Sequence, residues 1–330
     1  MAVVLDVATF GEVLWDFFEA RRRGSEPIAR LFRRELGGAP ANVATGLARL
    51  GVRAAVIGGV GRDRFGQALI EQLRADGVFT RFVVPLPERT GLTFVIRDAH
   101  GEPEFIFYRH ETADLSIRAE HLKPAMGRAS WALVGTSTWM TRELSRATSR
   151  FLDLAERAGA FVMVDLNVRP HLWSDPRAMR SAIAKLIERA VLVKASDADL
   201  RALHGGTDDA RWLRGLETGR GRTSWLVTRG PGLASAIGDH GETHLPAYRA
   251  RCVDATGAGD AFIAGSLATL LAARATPGSP SWGDPEVWLA ALRAGHMMGK
   301  KAISRPGAVA GLHALGRVRA VVDSVRRSGR

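Results

Sequence analysis

The 330-residue sequence predicts an α/β fold, a mostly parallel sheet covered on both faces by helices and carrying a small β flap. Two observations lead there. From about residue 130, short apolar runs alternate with longer stretches of helical periodicity, the pattern of βαβ units whose strands are buried on both faces. Between residues 91 and 109 the texture changes to two short runs around a turn, a hairpin and not a crossover.

Near the N-terminus, Val3–Gly11 and Ala54–Gly59 are expected strands flanking a helix over Pro40–Leu50. Pro40 suits a first helical turn, Val43, Leu47 and Leu50 form one apolar stripe, and Gly51 follows as the C′ residue. Leu92–Arg97 and Glu104–Arg109 form the hairpin around Asp98-Ala99-His100-Gly101; with Phe17–Leu36 they make a small antiparallel flap, a natural lid over 17–36 and 91–109. The parallel strands are Trp131–Gly135, Phe161–Leu166, Ala190–Lys194 and Ser224–Thr228, with helices over Arg142–Ala158 and Arg177–Arg189. Ala261–Ala273 is a long apolar helix that stops at Arg274, short of the ~20 residues a membrane span needs, and Ala275–Pro285 is a loop.

Composition narrows the function. Forty-six Lys plus Arg against 34 Asp plus Glu give a net charge of +12, and almost all of it is arginine, because lysine stands only at 123, 185, 194, 300 and 301. Such a balance suits nucleic acid, anionic membranes or phosphorylated metabolites alike. The runs Arg21–Arg23, Arg33-Arg34 and Arg326-Arg327 are dispersed and lack interleaved aromatics, so they are expected to be solvated faces and not a nucleic-acid surface. The lone Cys252 excludes an internal disulfide, fits a reducing compartment and is expected to be a small buried apolar side chain. Met1–Asp6 has no basic leader, so a cytoplasmic protein is expected. His240 and His244 straddle a turn, without the further ligands zinc requires.

Two stretches carry chemistry. In Val253-Asp254-Ala255-Thr256-Gly257-Ala258-Gly259-Asp260-Ala261-Phe262, small residues let the backbone approach a ligand, and the helix that begins there presents unpaired N–H groups, an anion hole. Asp260 then stands beside that anion site, where a general base for a hydroxyl attacking a phosphate is needed. Taken alone, the same residues also suit a glycine-rich turn with an acidic first turn. In Gly37-Gly38-Ala39-Pro40-Ala41-Asn42, Asn42 occupies a first helical turn beside two glycines, placed to bind hydroxyl groups or to be an ordinary polar residue. Asn167, Ser196 and Thr228 fall at the C-terminal ends of inferred parallel strands, where open α/β sheets bind ligands. No Gly-x-x-x-x-Gly-Lys-Ser/Thr loop and no protein-kinase motif set is present.

These two stretches, in this order and about 200 residues apart, resemble the signatures of the ribokinase family of carbohydrate kinases. Gly11-Glu12 with Asp16, Gly58–Gly66, Asp165-Leu166-Asn167-Val168-Arg169 with Trp173, and Thr228–Gly232 extend the resemblance over most of the chain. It implies one ribokinase-like three-layer domain over 1–330, with a β-sheet lid, ATP and Mg²⁺ as cofactors and a sugar hydroxyl as acceptor. Asp260 matches the family's base, Gly257, Ala258 and Gly259 its anion hole, and Arg169 a residue near the transferred phosphate. Asp16, Gly37, Gly38, Asn42, Arg109 and Asn167 match sugar-side positions; Lys194, Ser196, Thr228, Gly230 and Gly232 match the nucleotide side. Asp254 matches a position that helps bind a monovalent cation, so K⁺ joins the expected cofactors. A homodimer through the lid is also implied.

The sequence departs from the family at two places. Where relatives often carry Asn-x-x-Glu, supporting Mg²⁺, this chain has Ser196-Asp197-Ala198-Asp199, which leaves Asp199 as the Mg²⁺ candidate. Where relatives commonly carry Asn on the adenine side it has His296, expected to pack within a helix. Gly37–Asn42 and Phe107-Tyr108-Arg109 most resemble bacterial fructokinases, so D-fructose is the expected acceptor. 2-Keto-3-deoxygluconate kinases, other sugar or nucleoside kinases and a non-catalytic sugar sensor are the alternatives. Arg109 is expected to be a solvated arginine on an exposed strand or a substrate contact.

Overall fold

The structure, a computed structural model, describes residues 4–20, 29–97, 103–173, 175–204, 213, 217–218 and 221–328. Arg21–Arg23, the middle of the 17–36 stretch and the Asp98–Gly101 turn lie outside the described residues.

The first half of the chain forms β1 (Leu5–Phe10), β2 (Leu14–Glu19), β3 (Phe32–Gly37), α1 (Ala39–Arg49), β4 (Ala54–Gly61), α2 (Arg64–Ala75), β5 (Val83–Leu86), β6 (Leu92–Arg97) and β7 (Pro103–Tyr108). The second half forms β8 (Ala129–Gly135), α3 (Arg142–Arg157), β9 (Phe161–Asp165), α4 (Pro176–Ile187), β10 (Leu192–Ser196), α5 (Asp197–His204) and a two-residue pair, β11 (Glu217–Thr218) and β12 (Gly221–Arg222). It continues through β13 (Ser224–Thr228), β14 (Leu233–Gly238), β15 (Gly241–Pro246), α6 (Ala258–Ala272), α7 (Pro285–Ala302) and α8 (Gly316–Ser328).

Nine strands form the main sheet in the order β15-β14-β13-β10-β9-β8-β1-β4-β5. All neighbours from β13 to β5 are parallel, and β14 and β15 add an antiparallel edge that the sequence pattern did not announce. Side-chain alternation explains why both faces are covered: Trp131, Leu133, Met163 and Leu226 enter one apolar cluster with α1, α6 and α7. Ala132, Val134, Val162, Val164, Trp225 and Val227 enter the other, with α3 and α4. Among the described residues no helix is long and apolar enough to cross a membrane.

The chain leaves β1 toward β4 and β5 on one side and later builds β8, β9, β10 and β13 on the other. Such a reversal opens a crevice beyond the C-terminal ends of the strands, here between β1 and β8. Ser137 donates to Glu12 across it at 2.9 Å.

The second sheet has the order β3-β2-β6-β7. It corrects the antiparallel expectation, because β2 and β6 run parallel, Trp15 opposite Leu92 and Phe17 opposite Phe94. The long excursion through β3, α1, β4, α2 and β5 returns the chain beside β2 in the same direction, which a hairpin does not do. Its strands also begin at Leu14, earlier than the expected 17. A Phe17–Phe94 stack and the edge-on pairs Phe32–Phe94 and Phe94–Tyr108 tie the four strands together.

Candidate active site

Two helix starts meet at the crevice. At α1, Gly38 has φ 95°, a left-handed value that favours glycine, and a Cβ there would strike the Glu12 carbonyl. Its carbonyl accepts from Asn42 N at 2.9 Å, while Thr9 Oγ1 donates to the Pro40 carbonyl at 2.9 Å and fixes the helix start on β1. At α6, Gly257 has φ 74°, and a Cβ there would collide with Ala308. The two starts touch: Asn42 Nδ2 donates to Asp260 Oδ2 at 2.8 Å, across 218 positions of sequence. Asn42 Oδ1 is buried with no partner among the described residues.

The amides around Asp260 refine the expected anion hole. Ala258 N donates to the Ala255 carbonyl at 3.2 Å, whereas no backbone acceptor takes the Gly257, Gly259 and Asp260 amides among the described residues. Of the expected trio Ala258 is thus engaged, and Gly257, Gly259 and Asp260 are the open donors at the positive end of the α6 dipole. Asp260 is 8% exposed, and burial first, then the Asp165 carboxylate, push its carboxyl up to about 7 against the pull of Asn42 and Lys194.

Asp16 lies on the face of β2 toward this crevice, and a Cβ on Gly37 would run into its carboxylate. Burial raises it to about 7 as well, opposed by a hydrogen bond with Thr93 and by Arg109, and reinforced by Asp260 and Asp254. Arg109 corrects the expectation of a solvated side chain. Its guanidinium is nearly buried and clamps Asp114 through Nε at 2.8 Å and Nη2 at 2.6 Å, because Asp114 is fully enclosed and needs a counter-charge. Burial opposes that charge, yet Asp114, Glu12 and Asp16 hold it above the ordinary arginine value. Asn167 has φ 33°, an uncommon strain for a non-glycine residue, just beyond β9, and Arg169 beside it is exposed.

Behind the Gly259 amide opens a cavity of about 650 Å³, walled by Thr228, Gly230, Tyr248, Phe262, His296 and Lys300 among others. Its mainly apolar lining and size suit a nucleotide base and ribose. Sequence reasoning placed Thr228 and Gly230 on this side but not Tyr248, Phe262 and Lys300; Tyr248 reaches the wall from the loop after β15, Phe262 from α6 and Lys300 from α7. His296 both packs and lines: its Nε2 lies 3.0 Å from the Leu245 carbonyl and its ring stands edge-on to Phe262. Cys252 is exposed on the same wall, correcting the buried expectation. Two further cavities, of about 230 Å³ near Asp6 and about 580 Å³ near Arg62, lie away from these side chains.

Five expected residues make other contacts. Lys194 is not in the cavity wall; it is buried on β10 beneath Gly259, 3.4 Å from Asp165. Ser196 is also outside that wall, its Oγ donating to Asp199 at 2.7 Å. Gly232 closes a turn onto Arg229 at 2.9 Å. Asp199 accepts from Val168 N at 2.7 Å on one oxygen and from Ser196 N and Oγ on the other, so both oxygens are engaged in holding the backbone. Asp254 similarly accepts from Thr256 N and Oγ1 on one oxygen and from Gly307 N on the other, stapling the loop before α6 to the 307 segment. No cluster of three metal-ligating side chains occurs among the described residues.

The model of the pfkB family carbohydrate kinases matches residues 4–315. A fructokinase of Klebsiella pneumoniae is 37% identical over 238 residues, covering 72% of this chain and 77% of that protein. Fructokinase-1 of Zea mays is 35% identical over 271 residues, covering 79% and 81%. The crystal structure of a fructokinase with bound ATP from Xylella fastidiosa superposes with a TM-score of 0.83 at 30% identity, covering 97% of this chain and 98% of that one. An aminoimidazole riboside kinase from Salmonella enterica, complexed with aminoimidazole riboside and an ATP analogue, gives 0.80 at 25% identity, covering 96% and 99%.

Proposed function

Because the chain belongs to the pfkB family of carbohydrate kinases, we propose that it transfers the γ-phosphoryl group of ATP to a hydroxyl of free D-fructose. The observation that carries this reading is the Asn42–Asp260 bond of 2.8 Å, which joins the two helix starts into one cleft beside a nucleotide-sized cavity. The relatives named fructokinase support the choice of acceptor, and the ATP-bound Xylella structure supports the choice of donor.

Sugar hydroxyls meet Asp16, Asn42 and Asn167 on the crevice floor, with Gly37 and Gly38 allowing close approach. The small sheet covers them as a lid, its Phe107 stacked on His171 with ring centroids 6.2 Å apart, and excludes water that would otherwise hydrolyse the donor. The base and ribose of ATP occupy the cavity beside Thr228, Gly230 and Phe262. Asp260 takes the proton of the attacking hydroxyl, while the Gly257, Gly259 and Asp260 amides and Arg169 receive charge developing on the γ-phosphoryl oxygens. Mg²⁺ held on the nucleotide phosphates would neutralise their charge, with Asp199, bonded to Val168 N and Ser196 N, as the candidate carboxylate nearest the expected motif. A homodimer through the β7 edge of the small sheet completes the reading; Phe105 and Tyr108 are exposed there, and sedimentation velocity finding only monomer would remove it.

The test is ADP release from Mg-ATP across D-fructose, 2-keto-3-deoxygluconate, ribose and adenosine, with Asp260→Asn as blank. Fructose-dependent turnover that the variant lacks is expected. Preference for another acceptor would remove fructose and keep the kinase; a sugar that binds without turnover would favour a sensor.

A further inference from the structure

Lys194 is the buried lysine of this chain, 5% exposed, while the other four lie at or near the surface. Burying an ammonium is costly unless charge around it compensates, so what surrounds it defines what it does. Its Nζ is 3.4 Å from Asp165 Oδ1, longer than a charge-assisted hydrogen bond, and that oxygen has no hydrogen-bond partner among the described residues. On its other side, a Cβ built on Gly259 would stand 2.9 Å from Nζ, so the ammonium is pressed beneath the amides that open at the start of α6.

The charges acting on Asp260 are unbalanced without it. Asp165 from β9, Glu12 from the loop after β1 and Asp16 from β2 bring carboxyl groups that oppose a charge on Asp260, and Asn42 from α1 is neutral. Lys194 from β10 is the cation among them, with Arg109 directed at Asp16, Glu12 and Asp114, and Arg169 acting on Asp165. Burial opposes the lysine's charge, yet Asp165, Asp199 and Asp260 together hold it above the ordinary lysine value.

We propose that Lys194 is a positioning residue for phosphoryl transfer: held by Asp165 beneath Gly259, its ammonium keeps the Asp260 carboxylate charged and adds positive potential to the amide cradle above it. This rests on the kinase reading and deepens it, moving Lys194 from the nucleotide to the base.

The experiment measures acceptor-dependent ADP release from about pH 6 to about pH 9 for wild type, Lys194→Met, Lys194→Arg and the double variant Lys194→Met/Asp165→Asn. In Lys194→Met the acid limb of kcat/KM should move up by about one pH unit, with a loss of about tenfold at neutral pH that shrinks toward pH 9, and nucleotide KM should change by less than about threefold. Lys194→Arg should keep the limb in place. The double variant removes an anion with the cation, so its limb should return toward wild type, and it also serves if Lys194→Met does not fold. A loss equal at every pH, or a raised nucleotide KM with an unmoved limb, would overturn the proposal. Wild type without turnover on any acceptor would overturn the kinase reading and this proposal with it.

Discussion

Asp260 and Asn42 were legible as single residues, one from a helix start rich in small residues and the other from a proline-led first turn. Their hydrogen bond to each other was not, because contacts across 218 positions are made by packing and leave no local pattern. The same holds for Asp199, whose two oxygens are taken by backbone and a serine three residues before it. The charge on Asp260 has two opposite consequences. Its carboxyl titrates near 7 in the folded chain and near its ordinary 3.8 when unfolded, so between those values the folded state holds more protons. Stability contributed by this group is therefore present at low pH and lost as pH rises through that window. Asp260→Asn should melt a few degrees higher than wild type at pH 8 and nearly level with it at pH 4 by calorimetry, while turnover falls by about 10²–10⁴. Equal melting at both pH values would show that the carboxylate is not held in a penalising site. In wild type, kcat/KM should decline below about pH 7, with the midpoint belonging to Asp260 and Asp16 jointly, since both are displaced to about 7 and repel each other. Asn42→Ala should raise the acceptor KM more than the nucleotide KM and also lower kcat, because it removes the partner that holds the base; a change in KM alone would confine Asn42 to the sugar.

Elements were more legible than contacts. The parallel strands and α1 fall within a few residues of where apolar alternation and the Pro40 and Gly51 boundaries put them. Alternation says nothing about which strand lies beside which, and so the parallel β2–β6 pairing and the β14–β15 edge emerged only in three dimensions. The start of α6 shows how an element's boundary becomes chemistry. Gly257 holds φ 74° against Ala308, in a segment that Asp254 grips through Gly307 N at 2.9 Å and Arg49 grips through the Val309 carbonyl at 2.6 Å. Gly257→Ala forces both a left-handed alanine and a collision with a segment that has little room to retreat. A loss of about 1–3 kcal/mol in chemical denaturation is expected, together with a fall in kcat, because the Gly259 and Asp260 amides turn with the loop. Unchanged stability would mean that the 307 segment yields freely.

At the scale of the whole molecule, the sheet's reversal between β1 and β8 determines where the crevice lies, and all four strands of the small sheet are inserted in the chain between those two strands. Sequence alternation announced a parallel sheet and a flap but not the cavity between α6, α7 and β13, whose wall is assembled from residues between 228 and 303. Charge acts at this scale too. A chain of net charge +12 attracts a polyphosphate before any contact forms, and the cavity wall adds Arg249 and Lys300 at its rim. The acceptor proposed here is uncharged and gains nothing from that field. Raising the salt from about 0.05 M to about 0.5 M shortens the screening length severalfold, so the nucleotide KM should rise several-fold while the fructose KM and kcat stay nearly constant. Steady-state kinetics at fixed Mg²⁺ excess separates the two constants. Parallel changes in both would assign the salt effect to lid or loop conformation, and a flat nucleotide KM would mean that the arginines are spent on internal pairs such as Arg49–Asp76 and Arg189–Glu156 and project no net field into the cleft.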